Sequence, residues 1–283
     1  MICNVKELLE YAKINNCAVG AFNVSNLEMI IGVVKAAEDT NSNIILQIAE
    51  SRLKYTQLNL IATAMVEAAK KSKIKIAVQL DHAQTFSIIE EALDLGFSSI
   101  MYDGSHLPLE ENIKNTNLVE KITSKYNASL EGELGVIRGN EGNIEHNNSI
   151  YTSLEDAIDF EKNTNIHCLA IAIGNAHGIY LEKPKLNFEL LKNISSTINT
   201  PLVLHGGSWI SYEEFRYSID NGIRKINIAT ANFQAIVDAS KNYFEKEKKY
   251  NFFSLTQNIM ENVYKVTKKH IEVFNNKKPL EQI

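Results

Sequence analysis

Short runs dominated by apolar residues alternate along the chain with longer stretches whose apolar positions recur every three or four residues. The short runs are "CAVGAFN" (17–23), "NIILQIA" (43–49), "KIAVQLD" (75–81), "SSIMYD" (98–103), "SLEGELG" (129–135), "CLAIAIG" (168–174), "LVLHG" (202–206) and "KINIAT" (225–230). Their length and β-rich composition predict strands. Between them, stretches such as "NLEMIIGVVKAAEDT" and "SLEDAIDFEKNT" carry the helical period. The second opens on Ser153 with Asp156 three residues on, an N-cap followed by an acid at the positive end of the helix. Eight strands, each followed by a helix, predict an α/β fold of the (β/α)8 TIM-barrel type rather than an open sheet. An amphipathic N-terminal helix ("MICNVKELLEYAKINN") precedes it and extra C-terminal helices follow. No linker or low-complexity tract divides the chain, so residues 1–283 read as one domain. The longest gap between a strand and its helix, 136–152, is polar, contains Gly139 and Gly142, and reads as a lid.

Composition narrows the function. A hydrophobic share of 45% over 283 residues is ample for a large core. The net charge of −5 argues against a nucleic-acid partner, which calls for a basic stripe. The lysines near the C-terminus read as the wet face of terminal helices. No run reaches the ~20 apolar residues of a membrane span. The N-terminal helix carries acids and lacks the basic-then-apolar order of a signal peptide. Cys3, Cys17 and Cys168 form no ligand-like cluster and suit a reducing compartment. The expectation is a cytoplasmic protein without a membrane or nucleic-acid partner.

In this fold the chemistry gathers at the C-terminal ends of the strands. Asn23, Asp81, His82, Asp103, Glu133, His177, His205 and Asn227 all fall there. Three of the seven histidines on one rim suit a catalytic zinc, which takes three protein ligands and keeps one position open. Asp81 beside His82 suits an acid/base group or a partner of the imidazole, the alternative being a cap for the helix near Thr85. Asp103 and Glu133 suit a second cation or the orientation of the histidines. His106 reads as a capping or orienting residue, and His146, His167 and His270 as ordinary loop or helix residues. Gly206, Gly207 and Ser208 after the seventh strand, with Thr230 where the eighth strand leads into a helix, suit a phosphate. Lys75 and Lys225 begin their strands at the opposite end of the barrel, which argues against a Schiff base.

The segments "AFNVSNLE", "LDH", "MYDGSHLP", "EGELG", "AIGNAHGIY", "LVLHGGS" and "KINIAT" resemble, in order, those of the class II, zinc-dependent ketose-bisphosphate aldolases. That family includes fructose-1,6-bisphosphate and tagatose-1,6-bisphosphate aldolases. The resemblance implies that Zn²⁺ is held by His82, His177 and His205. Asp81 then exchanges a proton with the C4 oxygen, and Glu141, on the lid, works on the C1 proton. Asp103 and Glu133 match carboxylates beside the metal that hold a second divalent cation. Asn23, Gly178, Gly206, Gly207, Ser208, Asn227, Ala229 and Thr230 match positions around the dihydroxyacetone-phosphate end of the substrate. Gly178 also matches a residue that helps bind a monovalent cation (Na⁺ or K⁺) in some members. The implied partners are a phosphosugar substrate and a second copy of the chain, as a homodimer or homotetramer.

The chain departs from the family pattern at several places. The lid reads Arg138, Gly139, Asn140, Glu141, Gly142; Trp209 stands where a glycine is usual; Ala49, Leu181 and Ala231 replace a frequent hydroxyl, lysine and acid. Arg138 is expected to bind the distal phosphate and Trp209 to narrow the range of sugars, against a scaffolding role for both. Fructose 1,6-bisphosphate is the favoured substrate and tagatose 1,6-bisphosphate the close alternative. A zinc hydrolase on the same barrel would have little use for the phosphate cradle, and a non-catalytic sugar-phosphate-binding subunit would have lost ligands.

Overall fold

The structure, a computed structural model, describes residues 1–137, 139, 150–178, 184–246 and 249–277. The chain opens with a two-residue strand, β1 (Ile2–Cys3), and helix α1 (Val5–Ile14). Eight parallel strands follow: β2 (Val19–Asn23), β3 (Ile44–Ala49), β4 (Ile76–Ala83), β5 (Ser99–Tyr102), β6 (Ser129–Leu134), β7 (Cys168–Ile171), β8 (Leu202–Leu204) and β9 (Ile223–Ile228). Each pairs with the next, and β9 pairs back onto β2 with Ala21 opposite Asn227, which closes the barrel. The small β1 lies outside this ring, against the start of β4.

The connecting helices are α2 (Leu27–Asp39), α3 (Leu58–Lys71), α4 (Phe86–Asp94), α5 (Leu109–Thr123), α6 (Leu154–Asn163), α7 (Phe188–Thr197), α8 (Tyr212–Asp220) and α9 (Thr230–Lys246). Local chemistry sets where several begin. Asn26 caps α2 through Met29 N, Ser153 caps α6 through Asp156 N, and Ser211 with Glu214 forms a reciprocal capping box on α8. Past α9 the chain adds α10 (Phe252–Phe274), which approaches α2 so closely that a Cβ on Gly32 would sit 2.8 Å from the Met260 carbonyl oxygen. Among the described residues no helix is long and apolar enough to cross a membrane.

Two apolar layers hold this together. One lies between the sheet and its outer helices. The other fills the floor of the barrel, where Val19, Ala21, Ile45, Ala77, Cys168, Ala170 and Val203 meet Leu8, Leu9 and Ala12 of α1. Helix α1 thus plugs the N-terminal end of the barrel. All three cysteines are buried and free. Lys75 is exposed and pairs with Glu7 at 3.0 Å.

One histidine of the helical layer carries a pH dependence. His270 on α10 is 7% exposed, bonds Val266 O through Nδ1 at 2.8 Å, and lies among Tyr212, Phe215 and Phe274. Burial pulls its pKa from 6.5 down to about 4. The unfolded chain therefore binds a proton here that the folded chain refuses, and stability falls as pH drops from about 6.5 to about 4. Over that window the loss is roughly 3 kcal/mol, at 1.36 kcal/mol per unit. His270→Leu is expected to flatten this limb of a denaturation series relative to the parent; parallel limbs would show that His270 carries no such penalty.

Candidate active site

Strand alternation should send Asp81 and His82 to opposite faces of β4. The strand avoids this with a bulge. Its register against β5 shifts between Leu80 and Ala83, and His82 takes a left-handed backbone with φ 45°. A residue other than glycine pays roughly 1–3 kcal/mol for that conformation. His82 N donates to Met101 Sδ at 3.3 Å, which ties the bulge to β5. Both side chains end up buried.

Asp81 sits in a cage of amides. Asn23 Nδ2 and Gln47 Nε2 donate to Oδ2 at 3.1 Å each, and Asn227 Nδ2 donates to Oδ1 at 3.3 Å. It does not cap the following helix. The approach to that helix is held instead by Glu50, just past β3, whose carboxylate accepts from the backbone N–H groups of Gln84 and Thr85 and from the Thr85 hydroxyl.

The rings of His82, His177 and His205 converge, with centroids 4.8–5.8 Å apart. One potential ligand nitrogen from each lies within 4.8 Å of the others. His177 comes from the loop beyond β7, six residues past Ile171, rather than from the strand end itself. Each of the other two rings has one nitrogen engaged. His82 Nδ1 is 2.8 Å from Asp103 Oδ2, while Asp103 Oδ1 accepts from Ser105 N and Oγ. His205 Nε2 is 3.0 Å from Glu131 Oε1. The remaining nitrogens, His82 Nε2 and His205 Nδ1, are buried without a hydrogen-bond partner, as is Glu133 Oε2, 3.8 Å from His205 Nδ1.

The electrostatics follow from this crowding. Burial pulls His82 down, but Asp81, Asp103 and Glu133 outweigh it and hold its pKa well above the ordinary imidazole range. Burial raises Glu133, and neighbouring Asp103 raises it further. For Asp103, burial is overcome by the His82 and Ser105 hydrogen bonds, and its pKa is lowered. Burial lowers His205. Orphaned imidazole nitrogens facing an orphaned carboxylate oxygen form a pocket that fits a divalent cation with a taste for nitrogen, such as zinc.

Beside this cluster the backbone is shaped for close approach. Gly206 is left-handed (φ 66°), and a Cβ there would run into the Ala176 carbonyl oxygen. A Cβ on Gly207 would meet Asn227 O at 2.9 Å. Ser208 Oγ accepts from Ala231 N at 3.0 Å, which joins this loop to the first turn of α9, which opens on Thr230 just after Ala229. Gly178 is also left-handed (φ 82°), and the space beside its Cα is open. Trp209 is 43% exposed, and His106 is exposed. Arg138, Glu141, His146 and Leu181 lie outside the described residues.

The profile of the family described as fructose-bisphosphate aldolase class-II matches residues 3–278. The chain belongs to the class II fructose-bisphosphate aldolase family. It is 35% identical over 251 residues to a fructose-bisphosphate aldolase of Geobacillus stearothermophilus, covering 87% of each chain. It is 34% identical over 250 residues to one from Staphylococcus aureus, with the same coverage. The YdjI aldolase from Escherichia coli K12 superposes with a TM-score of 0.87 at 30% identity over 97% of each chain. The chain is thus an aldolase, a carbon–carbon lyase.

Several polar residues in this aldolase's barrel escape a reading confined to strand ends. Lys225 is one, and it corrects an expectation. It is the third residue of β9, fully buried, and ion-paired with Glu131 at 2.7 Å inside the barrel. Gln47, Gln79 and Glu131 are likewise inward and buried, and Asn175 donates to the backbone oxygen of His205 at 3.1 Å. The signal for most of them is the two-residue strand period. Gln79 precedes Asp81, Glu131 precedes Glu133, and Lys225 precedes Asn227 by two residues, so each shares the inward face of its strand.

Proposed function

We propose that this aldolase reversibly cleaves a ketose 1,6-bisphosphate, fructose 1,6-bisphosphate first, to dihydroxyacetone phosphate and glyceraldehyde 3-phosphate, with zinc held by His82, His177 and His205. The observation that carries this reading is the buried rim of imidazole nitrogens beside a carboxylate, Asp81, that three amides hold in place. A bound zinc would supply Lewis-acid stabilisation of the negative charge that builds on the dihydroxyacetone phosphate fragment.

The chain's own groups do the rest. Asp81, fixed by Asn23, Gln47 and Asn227, takes the proton of the C4 hydroxyl in cleavage and returns it in condensation. Glu141 handles the proton at C1 from the lid. Asp103 keeps the proton of His82 on Nδ1, so that Nε2 is presented inward. Glu133, and Asp103 in a lesser part, are available to a second divalent cation. Gly178, Gly206, Gly207, Ser208, Asn227, Ala229 and Thr230 surround the phosphate of the dihydroxyacetone end, where glycine backbone and the N-terminus of α9 both favour an anion. Gly178 also offers its backbone to a monovalent cation. Arg138 serves the distal phosphate and Trp209 the selection of sugars. The chain acts as a single cytoplasmic domain in a homodimer or homotetramer.

Tagatose 1,6-bisphosphate is the second reading, favoured by Ala231, where fructose-type relatives frequently have an acid. A coupled assay of the zinc-loaded protein on fructose 1,6-bisphosphate, tagatose 1,6-bisphosphate and their monophosphates decides. Highest kcat/KM on the fructose compound is expected. A preference for the tagatose compound would select the second reading, and turnover of neither bisphosphate would refute both.

A further inference from the structure

Glu131, Lys225 and Gln79 occupy the barrel interior beneath the rim, each at most 1% exposed. Lys225 Nζ lies 2.7 Å from Glu131 Oε2, and Gln79 Nε2 donates to that same oxygen at 2.9 Å. Cys168 Sγ adds a longer contact to it at 3.6 Å. The other oxygen, Oε1, is thereby left to His205 Nε2, 3.0 Å away. On the far side of the ring, Nδ1 has no hydrogen-bond partner and faces the convergent imidazoles. An ion pair at this depth is a poor way to stabilise a barrel, since apolar side chains of similar volume commonly do as well or better. Its presence points to a task other than packing.

We propose that Lys225 is a positioning residue: through Glu131 it holds His205 in the Nε2–H tautomer and turns the Nδ1 lone pair toward the cation pocket. This deepens the reading of His205 as a metal ligand and rests on it. The chain of cause is short. A carboxylate only accepts, so the ring nitrogen facing it must carry the proton. A neutral imidazole with Nε2 protonated has its acceptor at Nδ1. Lys225 and Gln79 clamp Oε2 and so aim Oε1 at the ring. Among the described residues Lys225 is also the single cation paired with Glu131, whereas Asp103, which does the corresponding work at His82, leans on Ser105 at the rim. The backbone of His205 is pinned separately by Asn175, which leaves the ring orientation to Glu131.

The test uses the full chain labelled with 15N-histidine, as wild type, Lys225→Met, and the double variant Lys225→Met/Glu131→Gln. The double variant removes both buried charges and is expected to fold even where the single one does not. Its amide at position 131 offers both donor and acceptor, so the tautomer bias is lost. In the metal-free proteins, His205 should show a protonated Nε2 and an unprotonated Nδ1 in wild type, and a mixed signature in the variants. Competition with a chromogenic chelator should show zinc held 10–100-fold more weakly by the folded variants, the usual span for loss of a group that orients a ligand. Unchanged His205 ring signals with zinc affinity within about twofold of wild type in the folded double variant would overturn the proposal. Should the tautomer shift as expected while wild type takes up no zinc, the control of His205 stands and the ligand reading falls.

Discussion

Stripping the metal from the purified protein with a chelator is expected to abolish aldolase activity and leave the barrel folded. The two halves of that outcome come from different ends of the molecule. The fold rests on the apolar layer under the outer helices and on the floor plugged by α1, neither of which contains the three histidines. In the proposed mechanism activity rests on the rim, where Lewis-acid stabilisation by a bound metal would be worth several kcal/mol, or ~10³-fold or more in rate. About one zinc per chain should restore turnover. Because His82 holds a proton strongly in the absence of a cation, uptake must expel it, and zinc affinity should weaken as pH falls. Elemental analysis beside rate and circular dichroism checks all three. Full turnover by protein shown to be metal-free would end the zinc reading.

Asp81→Asn should cost the cleavage step ~10²–10⁴-fold, the usual worth of a positioned acid/base group. Exchange of the C1 proton of dihydroxyacetone phosphate with solvent should largely survive, since the proposed mechanism gives that step to Glu141. The pairing of measurements matters because the substitution has a structural side. Asn23, Gln47 and Asn227 all aim N–H groups at the carboxylate, and an amide returns one set of donors to a site that wants acceptors. Leaving a buried donor unmatched costs about 1–3 kcal/mol. A collapsed site would lose exchange and cleavage together, whereas loss of the proton carrier alone separates them. Equal loss of both would remove Asp81 from its assigned role.

The sequence made the barrel legible because eight buried strands leave eight β-rich runs separated by helical periods. Ser153 as the cap of α6 was equally plain. Strand ends were less so. "CLAIAIG" continues three residues past the last paired residue of β7, because a loop that runs on into the mouth stays buried and apolar. The rim residues were visible as polar side chains where the apolar run stops. Lys225 was not, because its position near the start of a run suggested the wrong end of the barrel. Strand parity places it inside, but parity needs a register that the chain alone does not supply. The hold of Glu50 on Gln84 and Thr85 also depends on two strands lying side by side, a contact between residues 34 or more apart in sequence.

The left-handed backbone of His82 sets the barrel's interest against its chemistry. Glycine or asparagine at this position would relieve the conformation and relax the fold, while the cation pocket would lose a wall. At position 82 the backbone and the proposed cation pocket therefore ask for different residues. His82→Gly would exchange the imidazole's place at that pocket, and its contact with Asp103, for a backbone at ease in the left-handed region.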